Sequence, residues 1–204
     1  MTARFIAFEG GEAAGKSTQS ERLAARLDAV RTREPGGTPL GAAIRRQFLD
    51  PATGDLEPRT EALLMAADRA QHVASVIRPA LAAGRHVVTD RYLYSSIAYQ
   101  AHGRGLDPAG VELLNRWATD GLLPDLVVLL DLPVEVARAR VADVSPDRLE
   151  SEDVGFHERV RAGFRAQADA DPHRWVVVDA TGTPDDIAAE VWAAVVQRLP
   201  DLAG

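Results

Sequence analysis

The chain has 204 residues, 46% of them apolar, enough to bury one substantial core and too few for two comfortable domains. Its formal net charge of -7 argues against a bulk nucleic-acid binder, which needs an excess of Lys and Arg, so any phosphate it binds must meet locally placed cations. The absence of cysteine excludes disulfides, cysteine-bearing zinc sites and thiol nucleophiles, and fits a reducing compartment, with the cytoplasm as the default.

Met1–Arg4 leads straight into Phe5–Phe8, an apolar run that reads as a buried strand. No basic leader with a long apolar region is present and no apolar stretch approaches membrane-spanning length, which predicts neither targeting nor anchoring. A glycine-rich segment follows, and then helical patterning over Thr18–Leu27. Asp28–Arg31 is a weaker strand signal. Pro58–Ala83 reads as helix, Val87–Thr89 as strand, Ala109–Asp120 as helix, Leu126–Leu132 as strand and Val134–Ala142 as helix. The polar, charge-dense stretch Val144–Glu152, VSPDRLESE, breaks this rhythm and reads as a mobile flap, with an ordinary solvated loop as the alternative. The expected lid spans about 143–153. Trp175–Val178 is a last strand and Pro184–Leu199 a last helix. Strands alternating with helices predict an α/β, doubly wound fold of five parallel strands flanked by helices on both faces, in a single domain over 1–204, and the glycine-rich segment Gly10–Ser17, which fits GxxxxGK[ST], makes the expected fold that of a P-loop NTPase.

Gly10-Gly11-Glu12-Ala13-Ala14-Gly15-Lys16-Ser17 fits GxxxxGK[ST], and it lies between a strand and the helix that Thr18 helps to open. Glycines let backbone N–H groups converge on phosphate oxygens, and the helix N-terminus adds partial positive charge. Lys16 then reaches the β- and γ-phosphates and Ser17 offers a hydroxyl to Mg²⁺. The motif alone leaves kinases, GTPases, motor ATPases and regulators open. Base-recognition motifs of the Asn-Lys-x-Asp kind are absent, and a motor ATPase usually needs a longer chain, so a small phosphotransferase is favoured.

Val87-Val88-Thr89-Asp90-Arg91-Tyr92 places an acid and a base at the C-terminal end of a buried strand, the rim where open α/β sheets bind ligands. Asp90 can hold Mg²⁺ through water and Arg91 can hold a phosphate; a structural salt bridge is the competing reading. The segments GGEAAGKST, TREPGGTPLG, LLMAADRAQH, TDRYLYSSIAYQ and DRLE, in this order and spacing, resemble thymidylate kinases over nearly the whole chain.

The resemblance implies ATP as donor, Mg²⁺, dTMP as acceptor, a homodimer and a place in dTTP synthesis. It implies that Arg91 grips the acceptor phosphate, with Arg33 and Arg45 as further candidates. Arg69 would donate to the thymine ring, Ser96 and Gln100 would add hydrogen bonds, and Tyr99 would pack against the deoxyribose. Glu12 would address the 3′-hydroxyl region and the metal. Met65 stands where many relatives carry a phenylalanine over the thymine, and a thioether covers a ring less rigidly. The loop Ala13-Ala14 carries no arginine, so the chain resembles the branch in which a lid arginine, here Arg148, meets the transferring phosphoryl group. Arg140 would cover the adenine face, or act only as a cation at a helix C-terminus. A kinase for another nucleoside monophosphate or for a nucleoside, and a regulator without turnover, remain the alternatives.

Overall fold

The computed structural model describes residues 2–141 and 145–203. Strands β1 (Phe5–Glu9), β2 (Val30–Arg33), β3 (Val87–Asp90), β4 (Leu126–Asp131) and β5 (Trp175–Asp179) form one parallel sheet in the order β2-β3-β1-β4-β5. Between them run α1 (Lys16–Leu27), α2 (Pro39–Leu49), α3 (Pro58–His72), α4 (Arg78–Ala82), α5 (Leu93–Ser96), α6 (Pro108–Thr119), α7 (Val134–Arg140) and α8 (Val154–Ala170), and α9 (Pro184–Arg198) follows β5. The α/β architecture and the five parallel strands are those expected. Ala142, the expected end of the helix from Val134, and Asp143 and Val144 of the lid lie outside the described residues.

Alternation along β1 builds two cores. Phe5 and Ala7 face Phe48 of α2, Met65 of α3, Tyr99, and Phe156 and Phe164 of α8, whereas Ile6 and Phe8 face Leu23 of α1 and Val191 of α9. β1 is buried throughout and β4 up to the half-buried Asp131 at its end, as parallel strands covered by helices on both faces must be. β2 differs because it lies at the sheet edge, where Val30-Arg31-Thr32-Arg33 alternates between half-buried and exposed. It also starts two residues later than Asp28, which takes a left-handed conformation (φ 49°) and closes α1.

The expected single helix Pro58–Ala83 is interrupted by a wide turn over Val73–Ile77, after which the Arg78 N–H donates to Val73 O. Pro79 explains the interruption, since it lacks an N–H and its ring crowds the carbonyl four residues back. A second wide turn, Ile97–Gly103, extends α5 and lies against α8, with Gly103 and Gly163 at the crossing. A Cβ on Gly163 would sit 2.7 Å from His102 Cγ and 2.9 Å from His102 Cβ. Gly163→Ala gains about 1 kcal/mol of helix propensity, but overpacking against the immobile base of His102 costs roughly 1–3 kcal/mol, so the net effect is destabilising. Thermal melting should show the midpoint lowered by a few degrees (about 2–4 °C per kcal/mol at this size). An equal or higher midpoint would show slack at this crossing.

Candidate active site

The C-terminal ends of β1 and β3 deliver the loop Gly10–Gly15 and the pair Asp90-Arg91 to the same edge of the sheet. Gly10 is required there, because a Cβ at its φ of 142° would lie 2.5 Å from Leu130 O. Gly15, at φ 87°, caps α1, and Ala13 is also left-handed at φ 54°. Gly11 borders a neighbouring cleft with Glu12, and Ala14 is fully buried against the α1 face, so these positions offer backbone rather than side chain.

One cleft is lined by Glu12, Ala13, Gly15, Lys16, Ser17, Thr18, Arg33, Glu34, Arg45, Asp90 and Arg91. Lys16 is buried and its ammonium donates to Gly11 O at 2.5 Å. Burial and the nearby Arg91 lower its pKa to about 8, against the pull of Glu12 and Asp90. Ser17 Oγ donates to Asp90 Oδ2 at 2.6 Å, so a hydroxyl and a carboxylate stand side by side in this cleft. Two oxygen donors and no cage of three or more acidic or histidine ligands among the described residues fit a hard cation that keeps water and binds with nucleotide phosphates.

A second cleft is lined by Glu12, Glu34, Arg45, Phe48, Met65, Arg69, Arg91, Ser96, Tyr99, Gln100 and Leu149, among others. Arg91 joins the two. Its guanidinium donates to Gly10 O (3.0 Å), Ser95 Oγ (3.1 Å), Glu12 Oε1 (2.6 Å) and Tyr99 Oη (3.0 Å). The Tyr99 hydroxyl donates to the same Glu12 oxygen at 2.6 Å. Burial alone would raise the Glu12 pKa, but Arg91 and Lys16 overcome it and hold the carboxyl down at about 2. Arg69 is buried at 2% exposure and donates to Glu34 Oε2 (2.7 Å), Ser96 Oγ (3.0 Å), Tyr92 O (3.2 Å) and Asn115 Oδ1.

The structure therefore gathers Glu12, Lys16, Ser17, Thr18, Arg33, Arg45, Met65, Arg69, Asp90, Arg91, Ser96, Tyr99 and Gln100 around two adjoining clefts. Arg140 is exposed and donates to Ala13 O (3.1 Å) and Ala180 O (2.7 Å), tying the loop to the chain after β5. Arg148 lies apart from these residues. It does not line the cleft of Lys16 and Ser17; the residue is 8% exposed and its side chain is bonded to Phe48 O and Glu61.

Sequence reasoning missed the acids and amide beneath these groups. Glu34 accepts from Arg69 and from His72 Nδ1 (2.8 Å), and Asn115 comes from α6. Glu9 caps the start of α5, accepting from Tyr92 N (2.9 Å), Ser95 N (3.2 Å) and Ser95 Oγ (2.6 Å). The signal available for Glu34 is its place inside TREPGGT; for Glu9 it is an acid ending an apolar strand beside the glycine loop.

This geometry defines a P-loop phosphotransferase with two adjoining clefts. A family model described as thymidylate kinase matches residues 8–191. Curated proteins named thymidylate kinase are similar along almost the full length. That of Thermomicrobium roseum is 53% identical over 96% of this chain and 95% of its own, and that of Leifsonia xyli subsp. xyli is 54% identical over 92% and 91%. That of Solidesulfovibrio magneticus is 48% identical over 96% and 100%. The chain belongs to the thymidylate kinase family.

Burial is the main cause that raises the Glu9 pKa from 4.5 to about 7, against Ser95 and Arg91. The native state then binds more protons than the unfolded chain between pH 4.5 and about 7, so this group's contribution to stability is full at low pH and lost as pH rises through that window. Glu9→Gln should flatten the fall of melting temperature across it. Parallel pH profiles for both proteins would show that another group titrates.

Proposed function

We infer that this enzyme transfers the γ-phosphoryl group of ATP to dTMP, giving dTDP and ADP on the route to dTTP. The observation that carries the reading is that both clefts share Glu12, Glu34, Arg45 and Arg91, so a donor and an acceptor phosphate would meet at one set of charges. Transfer needs little covalent help from protein and depends on positioning and neutralisation. Lys16 and the loop from Gly10 would hold the donor phosphates, with Mg²⁺ at Ser17 and Asp90. Arg91, with Arg33 and Arg45, would hold the acceptor phosphate. Arg69, Ser96 and Gln100 would read the thymine edge and Met65 would cover its face. Tyr99 and Glu12 would meet the deoxyribose. Arg140 would flank the adenine, a reading supported by its bonds beside Ala13 and Ala180.

ADP release measured with dTMP, dUMP, CMP, AMP and thymidine tests the assignment; dTMP should give the highest kcat/KM. Lys16→Ala should lower turnover by about a hundredfold or more with melting little changed, since the missing charge faces the transferring group. Turnover near wild type would remove the loop from the chemistry.

We further infer a homodimer acting as a single-domain kinase in the cytoplasm. Among the described residues no helix is long and apolar enough to cross a membrane. Leu63 of α3 and Leu113 and Trp117 of α6 are 58%, 70% and 81% exposed, the last two at helical i,i+4 spacing. Adjacent apolar side chains left in water mark an interface, and a second copy is the partner that the family suggests. Leu113→Asp with Trp117→Glu should convert a dimer in sedimentation equilibrium to the 21.9 kDa chain. A wild-type protein that already sediments as a monomer would overturn the dimer.

A further inference from the structure

A guanidinium carries one proton on Nε and two on each Nη, and burial withdraws them from water, so each needs an acceptor. Around Arg69, at 2% exposure, separate segments of the chain supply them. Glu34, just after β2, takes the Nε proton at 2.7 Å. Ser96 Oγ of α5 (3.0 Å) and Asn115 Oδ1 of α6 take the Nη1 protons, and Tyr92 O, just before α5, takes one from Nη2 at 3.2 Å. The second Nη2 proton has no partner among the described residues, and Arg69 lines the cleft that it shares with Met65, Tyr99 and Gln100. All these acceptors lie outside the lid.

The acceptors are themselves fixed. Asn115 is 1% exposed, and its Nδ2 donates to Val111 O at 2.8 Å, one turn back on α6. A carbonyl only accepts, so this bond decides the amide orientation and turns Oδ1 toward Arg69. Glu34 is held by its other oxygen. His72 Nδ1 lies 2.8 Å from Glu34 Oε1, and because a carboxylate accepts, Nδ1 carries the proton. In the neutral ring Nε2 then accepts from the Thr32 hydroxyl at 2.6 Å. A Cβ on Gly37 would lie 2.7 Å from His72 Cδ2 and Nε2, so glycine lets the turn after β2 close directly on the ring. Thr32, His72, Glu34 and Arg69 form one line from the edge strand to the cleft.

We propose that Glu34 and Asn115, with His72 behind Glu34, are positioning residues that set base specificity: they hold Arg69 so that one N–H is left for the ligand, directed at the ring carbonyl farthest from the sugar. This rests on the reading of Arg69 as the base contact of a dTMP kinase. A fixed donor pairs with a carbonyl, but it meets an exocyclic amino group donor against donor and leaves buried protons unpaired. Thymine and 5-methylcytosine differ at that edge, carbonyl against amino, while the methyl, sugar and phosphate are the same. An Arg69 released from its frame can turn aside from the amino group, so the frame, and not the charge alone, carries the discrimination.

The test measures kcat and KM for dTMP and for 5-methyl-dCMP, the ATP dissociation constant and the melting temperature for wild type, Asn115→Leu, Asn115→Asp and His72→Phe. Wild type should favour dTMP. Asn115→Leu should raise the KM for dTMP about tenfold and shrink the ratio of the two kcat/KM values about tenfold, with kcat for dTMP and ATP binding moved by less than about threefold. His72→Phe should shift the ratio in the same direction. Asn115→Asp, which keeps an oxygen toward Arg69, should hold it within about threefold of wild type. A lowered melting temperature with an unchanged ratio in Asn115→Leu would reduce the residue to packing and overturn the proposal, as would a wild type that uses both nucleotides equally. If Asn115→Leu does not fold, His72→Phe decides: an unchanged ratio sinks the frame. Wild type that fails to turn over dTMP would instead reject the underlying reaction.

Discussion

The contact between Arg91 and Glu12 is the constraint on which the site depends. Arg91 holds a left-handed backbone, φ 71°, at the end of β3, a conformation that costs a non-glycine residue on the order of 1 kcal/mol or more. Its N–H donates to Phe8 O at 2.8 Å, so the strain is carried by the continuing pairing of β1 with β3. From there the side chain turns back across the glycine loop to Glu12. One ion pair thereby registers the phosphate loop after β1, the arginine after β3 and, through Tyr99, the wide turn that carries Gln100. Glu9 repeats the linkage one layer deeper by capping α5 from β1.

What was legible follows from the range of the signal. The glycine loop, Lys16, Ser17 and the pair Asp90-Arg91 are encoded within a few residues of a buried strand, so spacing and strand context place them. The central strands were legible for the same reason: β1 and β4 are continuous apolar runs because helices cover both their faces. β2 is an edge strand with arginines at alternate positions, and its apolar signal is correspondingly faint. The interruption at Val73–Ile77 depends on Pro79 meeting an otherwise good helical pattern, which periodicity alone reads through.

The buried polar layer is a different matter. Asn115, Glu34, Glu61 and His72 look like ordinary surface residues in the sequence, and only tertiary packing makes them 0–3% exposed. Each is satisfied by a partner far along the chain, such as Arg69 with Asn115 or Arg148 with Glu61. A motif can therefore name Arg69 without naming the groups that aim it. The lid shows the same limit more sharply. DRLE marks Arg148 as special, but its bonds to Phe48 O and Glu61 depend on where α2 ends and α3 begins, which a four-residue motif does not encode.

Electrostatics reconcile a chain of net charge -7 with a site for polyphosphate. The acids at the clefts are already engaged: Glu12 with Arg91, Glu34 with Arg69 and His72, and Asp90 with Ser17. Lys16, Arg33 and Arg45 form no ion pair among the described residues, yet they line one cleft. Burial, then Arg33 and Arg91, lower the Arg45 pKa, and burial and Arg91 lower that of Lys16, so these cations repel one another in the absence of an anion. An incoming phosphate relieves that repulsion, and the relief grows with the negative charge gathered where the two clefts meet. A nucleotide in only one cleft satisfies part of the set. On the proposed assignment of donor and acceptor, the arrangement favours occupancy of both clefts, the condition under which a phosphoryl group can pass between them.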